Sequence, residues 1–377
     1  MMPGELRDPS HLKENVMSNR RTPPAPPVHS TPSFDRRDFL KGAAAGFVLL
    51  PTVALGSTGL KSPGSGTVSS ASADLGSLGA TLPRRNATVA IIRASDRADG
   101  VARAMALMNP EGISGKSVNI KPNFNTSDPA PASTHNDTLA QLVLELKERD
   151  AREVTVGESS FPPTAEVMAE KGVPDLASDM GFGIVNYDEI ADSDWIHFKP
   201  DGTHWPDGFH LPRHVVEAEY LVSTCCLKTH QYGGVFTMSM KLAVGLTPRP
   251  IRRPMHQSED MRRMIAELNQ GYQPQLIIMD GVTTFVDGGP SSGEEKPGNV
   301  MIAGTDRVAV DAVGVAVLKD LGSNDDIMGR PIFAQEQIVR AAEVGLGVSA
   351  PDQIDLVSDN DEGRAYVKTL QGILARG

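Results

Sequence analysis

Cysteine is nearly absent: the 377 residues contain two, the adjacent Cys225 and Cys226. Two thiols cannot build a four-cysteine zinc site, and no iron–sulfur cluster can be ligated by this chain alone. Neighbours in sequence rarely pair with each other, so no disulfide framework is expected. Net positive charge is also lacking. A formal net charge of −11 argues against nucleic acid, a partner with many phosphates to neutralise. The longest apolar run, Gly42 to Leu55, is broken by Pro51, and it falls short of the ~20 residues that a membrane span needs. Neither the phosphate loop nor the Gly-rich dinucleotide fingerprint follows the first apolar strand, which weakens nucleotide readings. His197, His204, His210 and His214 are irregularly spaced and show no zinc pattern. Glycine and proline, at 36 and 28 residues, are plentiful, so many turns between short elements are expected.

The N-terminus reads as an address. Residues 1–34 are polar and proline-rich, and they lead into Asp35-Arg36-Arg37-Asp38-Phe39-Leu40-Lys41 and then the weakly apolar run. Paired arginines before a short apolar segment, with small residues at Ala54-Leu55-Gly56, resemble a twin-arginine export signal. The expected division is a signal region over 1–56, a flexible Gly/Ser-rich linker over 57–86, an α/β domain over 87–360 and a C-terminal helix or tail over 361–377. A second small-residue site, Ala71-Ser72-Ala73, and an alternative start at Met17 leave the cleavage point and the start open. The expected partner is the twin-arginine export machinery, the expected location periplasmic or extracellular, with no stable membrane span after cleavage. The first 56 residues hold seven Lys/Arg and five Asp/Glu, so their removal leaves a net charge of about −13.

The body alternates strand and helix patterns. Thr88–Ile92 is a β-branched run, and Asp96–Met108 places Val101, Ala104, Met105 and Met108 at helical spacing. Further strands fit Ser117–Ile120, Glu153–Val156, Tyr220–Ser223, Gln275–Met279 and Val300–Ala303. Helices fit Asn136–Lys147, Ser258–Asn269, Arg307–Lys319 and Pro331–Val344. Gly183–Pro212 has no clear period and reads as an elaborated hairpin or lid. The expected fold is α/β, a mostly parallel sheet flanked by helices, with two Rossmann-like lobes as a variant.

In such sheets ligands sit beyond the carboxyl ends of the strands. Polar residues gather there: Lys121-Pro122-Asn123, Glu158-Ser159-Ser160, Cys225-Cys226-Leu227-Lys228-Thr229-His230 and Asp280-Gly281. The order Lys-Pro-Asn, then Val-Gly-Glu-Ser, then Leu-Lys-Thr-His with Ser239-Met240-Lys241-Leu242-Ala243-Val244-Gly245, resembles the domain-of-unknown-function family 362. Ile278-Met279-Asp280-Gly281, Gly288-Gly289-Pro290-Ser291-Ser292-Gly293, Gly304-Thr305-Asp306-Arg307-Val308-Ala309-Val310-Asp311-Ala312 and Gly345-Leu346-Gly347 are similar to its later blocks. The resemblance runs over roughly residues 88–350. It implies little chemistry. Some relatives carry ferredoxin-type cysteine clusters, which implies redox-linked work, but those cysteines are missing here. Leu242-Ala243 also stands where relatives commonly have Asn-Leu.

Lys228 and His230 lie two apart, on one side of an extended segment, where an ammonium can tune an imidazole for proton transfer. With Glu158 they are the candidate catalytic residues, His230 being expected on an exposed loop. Lys121, Asn123 and Lys241 are candidates for holding an anionic substrate, a turn at Pro122 being the plain alternative for the first two. For Glu158 the alternatives are a base, a metal ligand or a neighbour of a helix cap. Asp280 and Asp287, among glycines, could hold a divalent cation or simply shape a turn. Asp306 reads as a helix cap, and Asp311, on an apolar helix, needs a partner that a strand-end lysine could be. Arg249, Arg252, Arg253 and His256, before Arg262 and Arg263, could serve an anion from a mobile loop or form a solvated surface. Cys225 and Cys226 are expected to be buried, inert thiols. Two functions follow from these residues: an exported enzyme acting on a small anionic molecule by Lys/His acid–base or redox-linked chemistry, or a non-catalytic periplasmic protein that captures a small anion. Racemases and oxidoreductases suit the first by fold-level analogy.

Overall fold

A computed structural model describes residues 86–377 of the chain. The export signal and nearly all of the proposed linker lie outside the described residues. The described residues form eleven strands: β1 (Ala87–Arg93), β2 (Ser117–Lys121), β3 (Glu153–Glu158), β4 (Gly183–Asn186), β5 (Trp195–Phe198), β6 (Phe209–Pro212), β7 (Tyr220–His230), β8 (Val235–Thr237), β9 (Leu276–Gly288), β10 (Gly293–Gly304) and β11 (Ile354–Val357). Nine form one sheet in the order β11-β1-β10-β9-β7-β2-β3-β4, with β8 paired to β7. The fold is therefore α/β around one continuous sheet, and the two-lobed variant does not apply. Pairings β2–β3, β2–β7, β3–β4, β7–β9 and β1–β11 are parallel, whereas β10 runs antiparallel to both its neighbours.

Both faces of the sheet are covered. Val118, Ile120, Val154, Val156, Val222 and Ile278 point into one core with the helices Arg97–Met108 and Asn136–Glu148. Alternate residues of the same strands, such as Cys225, Leu227, Ile277 and Met279, face a second core under the helices Arg307–Leu321 and Asp361–Arg376. This alternation is the period-two consequence of the pleat, and burial on both faces explains the near-continuous apolar runs. A third core lies under the β5–β6 hairpin and the helices Arg249–Gln257 and Met261–Leu268. The unpatterned segment Gly183–Pro212 thus supplies an edge strand and a hairpin.

Local chemistry sets the boundaries. Asp96 accepts from Asp99 N at 2.8 Å and starts the first helix, and Asn109, in the left-handed region at φ 39°, ends it. Asp306 caps the helix Arg307–Leu321 by accepting from Val308 N and Ala309 N, both at 2.9 Å. Two strands outrun their apolar signals. β7 continues from Ser223 to His230 with every residue buried, and β9 continues from Met279 to Gly288. The blocks Cys225–His230 and Asp280-Gly281 therefore lie within strands, not after them. Ladder pairing with β8 and β9 replaces the hydration that Lys228, Thr229 and His230 would otherwise need. Among the described residues no helix is long and apolar enough to cross a membrane.

Candidate functional site

The adjacent parallel strands β7, β2 and β3 end on one side of the sheet, and most candidate residues meet there as two linked centres. The first is the Lys121–Glu158 ion pair. Lys121 Nζ stands 2.7 Å from Glu158 Oε2 and donates to Pro122 O at 2.6 Å, and both side chains are buried. Phe124 N and Ser159 N donate to the same carboxylate at 2.8 and 2.9 Å, so the pair ties together the loops that follow β2 and β3. Burial disfavours both charges, lowering Lys121 and raising Glu158, while their mutual contact opposes each shift. One glycine makes room for the pair and a second for the Tyr187 ring beside it. A Cβ on Gly245 would stand 2.4 Å from Glu158 Oε1, and one on Gly157 would stand 2.0 Å from the Tyr187 hydroxyl. Close approach is what glycine permits at both positions.

The second centre is cationic. On β7, Cys226, Lys228 and His230 alternate with Cys225, Leu227 and Thr229, which face the core. Lys228 is fully buried, and Nζ donates to Ala132 O, the same carbonyl that Asn123 Nδ2 reaches at 3.5 Å. Opposite Lys228 in the ladder stands Thr237, whose buried hydroxyl has no partner. Lys241 comes from the 3-10 segment Met240–Leu246, is only partly buried, and makes no side-chain hydrogen bond or ion pair among the described residues. His256 lies on the helix Arg249–Gln257, one turn beyond Arg252, and its Nδ1 lies 2.7 Å from Arg252 O.

Burial and crowding of like charges lower every basic group here. Burial brings Lys228 to about 8, and burial with the Lys228 charge brings Lys241 to about 7. Burial, then Lys241, His256 and Lys228, hold His230 well below the usual imidazole range. His256 falls to about 4 through burial and Lys241, and Arg252 to about 10 through burial. Lys171, lowered by burial, sits with Nζ 5.1 Å from the Phe124 ring centroid and within electrostatic reach of Lys228. No carboxylate is hydrogen-bonded to Lys228 or Lys241 among the described residues. Arg252 links the two centres: it donates to Thr247 O, Ser159 O and Ser160 O, and its charge acts on both Lys121 and His256.

The structure thus gathers Lys121, Asn123, Glu158, Lys228, His230 and Lys241 along one strip. Lys121 and His230 mark its far ends, because β7 runs seven residues past the position paired with β2's last residue. The two aspartates behave differently. Asp280 Oδ2 is engaged by Arg97 Nε at 2.8 Å and Thr138 Oγ1 at 2.9 Å. Asp287 accepts from Gly288 N at 2.8 Å and Asn324 Nδ2 at 3.0 Å. Seven residues apart on β9 they are roughly 23 Å apart by strand rise, so these donors do not fit a shared metal. His230, expected on an exposed loop, is buried in β7 with Nδ1 unpartnered. Asp311 is not held by a lysine: it accepts from Ser239 N at 2.8 Å, Ser239 Oγ at 2.6 Å and Met240 N at 3.1 Å, because the strand-end lysines lie across the sheet from its helix. Arg249 and Arg252 sit on a helix, not a mobile loop, and Arg249 pairs with Asp188 at 2.7 Å. Both thiols are buried and shifted upward by burial.

Sequence reasoning missed Lys171 and Thr237, which carry no local signal. It misread Arg252 and His256, whose i, i+4 spacing was masked by Pro248, Pro250 and Pro254.

Residues 118–316, just over half of the chain, match the family model described as Domain of unknown function (DUF362). No curated protein matches the chain. Among solved structures, the lactate racemase apoprotein from Thermoanaerobacterium thermosaccharolyticum is similar at 15% identity and a TM-score of 0.33, covering 76% of this chain and 86% of that one. A likeness that loose bears no chemical argument.

Proposed function

The chain belongs to the DUF362 family, and from its own side chains we propose that it is an exported protein that takes a small anionic molecule into the Lys228–Lys241 strip and acts on it by acid–base chemistry. The observation that carries this reading is a pair of neighbouring, desolvated lysines, neither hydrogen-bonded to a carboxylate among the described residues, with Asp128 acting on Lys228 only through its charge. Unpaired buried charge is costly, and a bound carboxylate or phosphate would offset that cost while meeting the free hydroxyl of Thr237. Lys228 and Lys241 are the groups placed to hold the anion and to exchange protons near neutral pH, with His230 neutral beside them. Glu158 and Lys121 serve as positioning residues that hold the adjoining loops. Arg97 and Thr138 occupy Asp280, so no step is routed through a metal.

The experiment is a thermal-unfolding screen of purified protein against oxalate, malonate, phosphate and lactate. Anion-specific stabilisation that disappears in Lys228→Met supports the reading, and equal responses in wild type and variant overturn it. Turnover of a stabilising anion separates the enzyme from a non-catalytic periplasmic binder.

A further inference from the structure

The basic groups of the strip divide by how they are tied down. Lys121 is saturated by Glu158 and Pro122 O, and Lys228 is fixed on Ala132 O with its ammonium fully buried. Lys241 has no such tie. Its backbone, in contrast, is firmly placed: Asp311 holds Ser239 N and Met240 N, and Asn269 Nδ2 donates to Met240 O at 3.0 Å. Arg307 fixes Asn269 in turn, at 2.8 Å to Oδ1. A rigid base thus carries an unengaged, partly buried lysine side chain. Beside it lies His230. The point where a Cβ on Gly234 would sit is 3.1 Å from Lys241 Cε and 2.9 Å from His230 Nδ1, so the lysine stem and the unpartnered imidazole nitrogen flank the same backbone turn.

We propose that Lys241 is a Schiff-base-forming lysine and that the anion bound here is a 2-oxo acid. This rests on the anion reading above and specifies its substrate class. Lys228 would hold the carboxylate beside the Thr237 hydroxyl, leaving the adjacent carbonyl carbon to Lys241. The uncharged amine attacks that carbon. A C–N bond forms, the carbonyl electron pair moves to oxygen, and oxygen takes up a proton. The resulting carbinolamine loses its hydroxyl as water with the nitrogen's proton, leaving C=N. The balance is amine plus ketone giving imine plus water, and no oxidant or reductant is required. Desolvation and a cationic neighbour are the conditions that keep a lysine amine nucleophilic near neutral pH.

The test is reductive trapping on the full chain. Protein is incubated with pyruvate and cyanoborohydride, with and without excess oxalate, and mapped by peptide mass spectrometry. The expected result is one reduced pyruvyl adduct per chain on the Lys241 peptide, suppressed by oxalate and rising as pH increases through about 7. It is absent in Lys241→Arg, whose unfolding temperature confirms folding. Label on Lys228, or label spread over exposed lysines equally in wild type and variant, overturns the proposal. Oxalate-induced thermal stabilisation, read in the same samples, separates the two claims. Stabilisation without trapping removes the Schiff base alone, and loss of both removes the anion reading with it.

Discussion

At the residue scale, the Lys121–Glu158 contact sets a sharp expectation, because breaking a buried pair leaves one charge without compensation. Lys121→Met should lower stability by about 3–5 kcal/mol, whereas the double variant Lys121→Met/Glu158→Leu should recover most of it. Chemical denaturation of the two single variants and the double measures the coupling, and additive costs would mean the pair is not an interacting unit. Lys241 acts in the opposite sense. Its folded-state pKa of about 7 lies below the ordinary 10.5, so the native state carries a charge penalty that is full below pH 7 and relieved as pH rises towards 10.5. Lys241→Met should therefore raise the unfolding temperature at pH 6 by about 2 °C, on the order of 1 kcal/mol, with the gain fading by pH 10. A gain that grows with pH would refute that assignment. Which lysine is paired and which is not could not be read from the chain, because Glu158 reaches Lys121 from the neighbouring strand, 37 residues along the chain. The presence of cations at strand ends could be read, since Lys121 and Lys228 directly follow or extend apolar β-runs.

Elements place the site through contacts made on the far side of the sheet. The helix Arg307–Leu321 is buried almost all round, and Asp311 within it holds the segment that carries Lys241 and Gly245. Asp311→Ala should cost about 3 kcal/mol, since Ser239 N, Ser239 Oγ and Met240 N lose their acceptor, and it should also reduce the thermal stabilisation given by oxalate. Asp311→Asn keeps acceptor oxygen in place and should preserve much of both. Burial raises the Asp311 carboxyl from 3.8 to about 7. Its contribution to stability is thus full below pH 4 and is lost as pH rises to 7, so wild type should lose stability relative to Asp311→Asn across that window. Denaturation midpoints of both proteins at pH 4 and pH 7 check the sign. His230 belongs to this scale as well. As a buried β7 residue its removal opens a cavity, and His230→Ala should cost about 2 kcal/mol, unlike the near-neutral change that an exposed imidazole would give. The helical starts at Asp96 and Asp306 were legible because an N-cap is a local event. The lengths of β7 and β9 were not, because partner strands far along the chain keep Lys228, Thr229, His230 and Asp280 in the ladder.

For the whole molecule, one parallel-rich sheet brings together lysines from β2, β7 and the segment after β8, and strand order makes this possible where sequence distance does not suggest it. The architecture followed from alternating apolar strands and amphipathic helices. A single sheet in place of two lobes did not, because strand order is set by which edges pair. At this scale the export proposal is tested in cells: Arg36→Lys with Arg37→Lys should keep the protein in the cytoplasm, and unchanged delivery would remove the twin-arginine reading. The most direct test of the central claim is calorimetric titration of oxalate into purified protein at pH 8, in two buffers of different ionisation enthalpy. Lys228 and Lys241, with values of about 8 and about 7, are partly or mostly uncharged at that pH, and an anion seated between them would raise both. Binding should be saturable and one-to-one with net proton uptake, and lost in the Lys228→Met/Lys241→Met double variant. Binding with no proton uptake, or none at all, would contradict that claim.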